Sequence, residues 1–162
     1  MTLVIIVAIA LALFGLAFVT KRRFGVLGLG LAGGAVLSQS WGREIGQIFE
    51  NQQLPVEPLS YFVAATVAPI NIPPLLRLIA GPKYTDKKYA LIGSICFALL
   101  GTLLLIGPLT MDLPPLSGEM KTSLDFIAQW ENLLIACGIA LAIVDMLHAN
   151  SSKSHGKKFG KH

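Results

Sequence analysis

The sequence predicts an all-α integral membrane protein of about five transmembrane helices, oriented N-out/C-in and ending in a disordered basic tail. Three observations predict it. Hydrophobic residues fill 54% of 162 positions and charged residues only 14%, with a mean hydropathy of +0.67, outside the usual range of soluble domains. The apolar residues form five long runs. The 13 Lys and Arg residues fall in short clusters between those runs rather than along one face, so the net charge of +4 reads as a topology signal and not as a nucleic-acid footprint.

The first run, residues 2–19 (TLVIIVAIALALFGLAFV), carries no charge, and its length is close to the ~20 residues that cross a ~30 Å hydrocarbon core. Lys21, Arg22 and Arg23 follow it and nothing basic precedes it, the reverse of a cleavable signal peptide. A retained span with its N-terminus outside is expected.

The second run, Phe24 to Trp41, is short and rich in glycine. Gly28-Leu-Gly30-Leu-Ala-Gly33 matches the dinucleotide pattern G-x-G-x-x-G, and Glu50 follows at a distance that suits a ribose contact. That chemistry needs a buried strand before the first glycine and alternating strands and helices around it. Arg22-Arg-Phe-Gly-Val-Leu27 adjoins a membrane run and supplies neither, so no nucleotide is expected. At helical spacing, Gly30, Gly34, Ser38, Gly42 and Gly46 recur every four residues and form one ridge of small side chains, the usual means of close helix packing in lipid. Beyond it, Trp41 to Glu50 alternates apolar and polar faces as an interfacial amphipathic helix would; a solvated loop over 42–58 is the alternative.

The third run, Leu59 to Ala80, is interrupted by Pro69-Ile-Asn-Ile-Pro-Pro74, where three prolines remove backbone donors; a kinked or broken helix is expected. The fourth, Tyr89 to Leu109, is uniformly apolar with Gly93, Gly101 and Gly107. The fifth, Ser123 to Leu147, has a polar first half. The tail from Asn150 to His162 holds too little apolar surface to fold. Residues 1–149 therefore read as one polytopic domain and 150–162 as a disordered cytoplasmic tail. Placing Lys21–Arg23, Arg77–Lys88 and the tail on one side gathers eleven Lys and Arg residues there and leaves Arg43 and Lys121 on the other, as the positive-inside rule requires.

No catalytic centre is expected. His148, His155 and His162 lie at or beyond the end of the last run, so no histidine base reaches a nucleophile. Cys96 and Cys137 sit inside apolar runs, where thiols pack like small hydrophobes; no disulfide, metal or cofactor is expected. Ionisable groups inside a bilayer are costly and invite a role. Glu131 could bind an ion, relay a proton or pair with Arg77, or it could reach headgroups from a helix that begins in the interface. Arg77 and Asp145 lie near helix ends, where snorkelling satisfies them. Asn71, between Pro69 and Pro73-Pro74, sits where a broken helix would expose carbonyls to a transported solute, or where a kink merely packs.

The order of these segments resembles the colicin V production protein (CvpA-like) family of small bacterial inner-membrane proteins. The resemblance is carried by Arg22-Arg-Phe-Gly25 after the first run and by Thr85-Asp86 before Ile92-Gly-Ser-Ile-Cys-Phe-Ala-Leu-Leu-Gly101. It implies a multi-pass protein of the bacterial cytoplasmic membrane that supports toxin or peptide production or export, or envelope homeostasis. The residues themselves point to an accessory protein that acts by lateral packing through the Gly30 to Gly46 ridge, with itself or with other membrane proteins. A small oligomeric transporter or channel subunit with Asn71, Arg77 and Glu131 near its path is the alternative.

Overall fold

The computed structural model describes residues 2–55, 60–112 and 119–156. Five helices follow one another: α1 (Thr2–Thr20), α2 (Phe24–Asn51), α3 (Tyr61–Ala80), α4 (Lys87–Asp112) and α5 (Glu119–Gly156). Among the described residues the only β-type pairing is a single antiparallel bridge between Arg22 and Lys83. Four helices, α2 to α5, are long and apolar enough to cross a membrane, while the apolar part of α1, Val4–Thr20, is slightly shorter.

Two expectations are corrected. The second helix is not short: α2 runs unbroken through 28 residues, about 42 Å, so the apolar part and the amphipathic part form one rod. The third is not broken: Pro69, Pro73 and Pro74 all lie inside a continuous α3. α5 continues as far as Gly156, into the segment expected as tail; residues 157–162 lie outside the described residues.

The continuity of α3 has a physical cause in α2. Pro73 and Pro74 have no N–H to give to the carbonyls of Pro69 and Ile70 one turn back. Those two carbonyls face Gly34 instead: a β-carbon there would collide with the Pro69 oxygen and lie 2.6 Å from that of Ile70. Glycine presents a Cα hydrogen in that direction, and Cα–H···O contacts are worth about 0.5–1 kcal/mol each. The rest of the ridge continues the antiparallel pairing. Gly30 lies against Pro73 and Pro74, Gly42 against the Thr66 hydroxyl, and Gly46 against Ala65 and Phe62. Ser38 is buried on the same stripe.

The remaining core forms where α1, α2 and α4 meet. Gly101 of α4 admits Leu13 from α1, whose side chain would lie 2.8 Å from a β-carbon, with Leu31 from α2 behind it. Phe97, Leu27, Leu31 and Leu100 are fully buried in this cluster. α1 packs on α4 and not on α2, its neighbour in sequence, and among the described residues α3 and α5 do not touch. α5 is the outlier. Only 6% of its membrane-length window is buried, against 44% for α2 and for α4 and 33% for α3.

Candidate functional site: the basic junction and the cleft beside it

The chain leaves α1 through Lys21, whose φ of 51° turns it sharply, and enters a short extended segment. This segment pairs with the loop between α3 and α4. Arg23 N–H donates to the Pro82 carbonyl at 3.1 Å, and Tyr84 N–H donates to that of Lys21 at 2.8 Å. The Arg22 guanidinium donates to the Leu78 carbonyl at 2.8 Å and the Ile79 carbonyl at 2.6 Å. Those are terminal carbonyls of α3 with no partner further along the helix, and a cation there also complements the helix dipole.

The N-terminus of α2 has the complementary problem of free N–H groups, and the sequence supplies no capping side chain at Arg23. Distant residues cap it. Phe24 N–H donates to the Tyr84 hydroxyl at 3.1 Å, and Gly25 N–H donates to the Asp145 carboxylate at 2.8 Å. A β-carbon at Gly25 would lie 2.6 Å from the Ala142 carbonyl oxygen and 2.8 Å from the Met146 nitrogen, and one at Gly28 would lie 2.9 Å from the Ala142 β-carbon. These two glycines therefore seat α5 on α2. Asp145, expected only to snorkel, is a capping group held 120 residues away in sequence.

Tyr84 ties the junction together. Its ring carries the Arg23 guanidinium at 5.5 Å from the centroid, and it lies so close to Gly93 of α4 that a β-carbon there would be 2.7 Å from the ring. Burial pushes its hydroxyl up to about 12, with the neighbouring Asp145 charge and hydrogen bond adding to the shift while the Phe24 N–H and Arg23 oppose it.

One end of the bundle thus collects Lys21, Arg22, Arg23, Arg77, Lys83, Lys87 and Lys88. Arg43 stands 19 residues further along α2, about 28 Å away. Among the described residues no ion pair engages these cations.

Beside this end lies a cleft between α4 and α5. It encloses about 370 Å³ and is lined by Phe24 of α2, by Cys96, Leu99 and Leu103 of α4, and by Leu134 and Cys137 of α5, with almost no polar surface. Both cysteines are free thiols.

The polar residues singled out from the sequence are placed apart. The Asn71 amide donates to the Val67 carbonyl of its own helix at 2.9 Å. Arg77 is exposed near the C-terminal end of α3. Glu131 is half-buried on α5, with a carboxylate oxygen 3.9 Å from where a Gly107 β-carbon would be. It lies 14 residues, about 21 Å, from the junction residue Asp145. The glycines of the nucleotide-like pattern separate as well: Gly28 faces α5, Gly30 faces α3, and Gly33 has nothing within 4 Å of a β-carbon. Among the described residues no cluster of His, Cys, Asp or Glu could hold a metal ion.

Tyr84 and Asp145 were the residues sequence reasoning missed as a pair. The available signal was that α2 begins without a capping side chain at the end where both lie.

Fold and site together define an all-helical protein with four helices suited to crossing a membrane, knotted at a basic end. No protein family, curated protein or solved structure matches the chain, so nothing in these comparisons ties it to the colicin V production family.

Proposed function

We propose that this is a multi-pass accessory protein of the bacterial cytoplasmic membrane, acting through side-by-side contacts of its helices with other membrane proteins or with further copies of itself. The supporting observation is the bareness of α5. A helix held by one capped junction and by glycine contacts at Gly25, Gly28 and Gly138 presents most of its circumference outward. On that surface Trp130, Leu133, Cys137, Ala140, Val144 and Leu147 are all exposed and recur at alternating spacings of three and four, the repeat that keeps one seam against a partner helix. The glycine ridge, along which α3 of the same chain lies, supports this purpose less. A role in toxin or peptide production, or in envelope homeostasis, rests on the family resemblance alone.

The transporter reading has less support. It would place Asn71, Arg77 and Glu131 along one path, whereas α3 and α5 share no contact among the described residues and Asn71 is bonded within its own helix.

The test is photo-crosslinking in cells from Leu133 and Val144, with the exposed Ile92 of α4 as the reference position, followed by mass spectrometry. Adducts to defined membrane proteins, or to a second copy, from the α5 positions alone support the reading. Adducts to lipid alone from all three positions reject it.

A further inference from the structure

We infer that the cleft between α4 and α5 is a binding site for an anionic phospholipid, one acyl chain lying in the cleft and the headgroup resting against Arg23. The inference relies on the membrane reading above but not on the accessory role.

The cleft has the size of a small-molecule site, since 370 Å³ lies within the roughly 300–1,000 Å³ of ligand pockets. Its walls exclude polar ligands. Leu99, Leu103 and Leu134 offer only apolar surface, and no hydrogen-bonding side chain beyond the two thiols lines it. An acyl chain satisfies such walls.

Charge fixes the class of headgroup. Phe24, at one end of the cleft, adjoins Arg23, whose guanidinium lies over the Tyr84 ring; that ring packs on Gly93, three residues before Cys96 of the cleft wall. The Phe24 end of the cleft therefore lies beside the basic junction. Seven cationic side chains gather at that end against the carboxylates of Asp86 and Asp145. The Asp145 carboxylate accepts from Gly25 N–H, and Asp86 accepts from Lys88 N–H at 2.9 Å. Cations outnumber carboxylates at that end of the bundle, and a phosphate is the group such an excess favours over a neutral headgroup.

The chain's only two cysteines both line the cleft, so its occupancy can be read directly. Full-length protein is placed in phosphatidylcholine vesicles with and without phosphatidylglycerol, and reaction of Cys96 and Cys137 with a lipid-soluble maleimide is timed. Phosphatidylglycerol is expected to slow labelling of both thiols. Arg23→Gln should require about fivefold more phosphatidylglycerol for the same protection, the value of one basic contact at an anionic surface. Separately, native mass spectrometry of protein extracted in mild detergent should show one retained anionic phospholipid per chain, absent from Cys137→Trp, which fills the cleft from an exposed position without touching the junction.

Equal labelling in both vesicles, retention of neutral lipid only, or protection that accompanies dimer formation would overturn the site. If alkaline carbonate washing releases the protein from membranes, the membrane reading itself fails. If the protein stays with the membrane but retains no anionic lipid, only this inference fails.

Discussion

The α2–α3 pair and the α5 helix are all apolar enough to cross a membrane, yet the pair is locked and α5 nearly free. In the first, small residues at every fourth position meet a helix whose prolines have left carbonyls to be covered, so backbone approaches backbone along Gly30, Gly34, Gly42 and Gly46. In the second, close contact is made at a few points, Gly25, Gly28 and Asp145 near one end and Gly138 against Leu100 further along. Apolar character alone does not hold helices together in lipid, where the tails are as apolar as leucine. Close approach and polar capping do, and they are spent unevenly here.

The sharpest way to break this contrast is Gly34→Leu. Its side chain must enter the space of two α3 carbonyls, and overpacking against backbone should cost about 3 kcal/mol. Gly33→Leu, one residue earlier and facing open space, should be neutral. Unfolding in sodium dodecyl sulfate mixed micelles, followed through Trp41, checks both; equal effects of the two variants would refute the pairing.

Gly25→Ala addresses the weaker region. Its β-carbon meets the backbone of α5, and about 2 kcal/mol of overpacking should detach α5 while α2 and α3 stay paired. Trp130 fluorescence should then shift at lower detergent than Trp41 fluorescence, when each is read in a variant carrying one tryptophan.

The junction should also loosen with alkali. Tyr84 has a folded pKa of about 12, above its ordinary value near 10, so folding favours the protonated phenol. Its contribution is complete below pH 10 and disappears as pH rises from 10 to 12. Ultraviolet titration should resolve one tyrosine ionising near 12, missing in Tyr84→Phe. A wild type in which all three tyrosines ionise together near 10 would contradict the burial of its hydroxyl.

The smallest effect belongs to the bare face of α5. Leu133→Ala should change stability by less than about 0.5 kcal/mol, as surface substitutions do, while reducing capture of whatever partner crosslinks at Val144. A large loss of stability would show that α5 is packed more fully than its exposure indicates.

Much of the helical layout was legible in the sequence because hydropathy and length are properties of contiguous residues. The five helices coincide with the five apolar runs, and the small-residue spacing of α2 marked its packing face. Three features were not legible, each because its cause is remote in sequence. Three prolines argue locally for a break, and only the presence of Gly34 beside them lets the helix continue. Asp145 and Gly25 become partners only when α5 returns to the start of α2. The ridge could equally have faced another molecule, and nothing in its spacing specifies α3 of the same chain. The extent of α5 was not legible for a simpler reason: its helical hydrogen bonding carries on through polar residues past Asn150, where hydropathy gives no signal.

The two carbonyls that Pro73 and Pro74 leave open have a bearing on biogenesis. A lone α3 in lipid would expose them to hydrocarbon, where an unsatisfied carbonyl costs several kcal/mol. α2 already carries the glycine that covers them, and it is made first. The two segments are thus suited to leave the insertion machinery as a hairpin, the earlier helix acting as an internal chaperone for the later one. Separating their insertion, by lengthening the connection between Asn51 and Tyr61, should harm the yield of folded protein more than an insertion of equal length between α4 and α5.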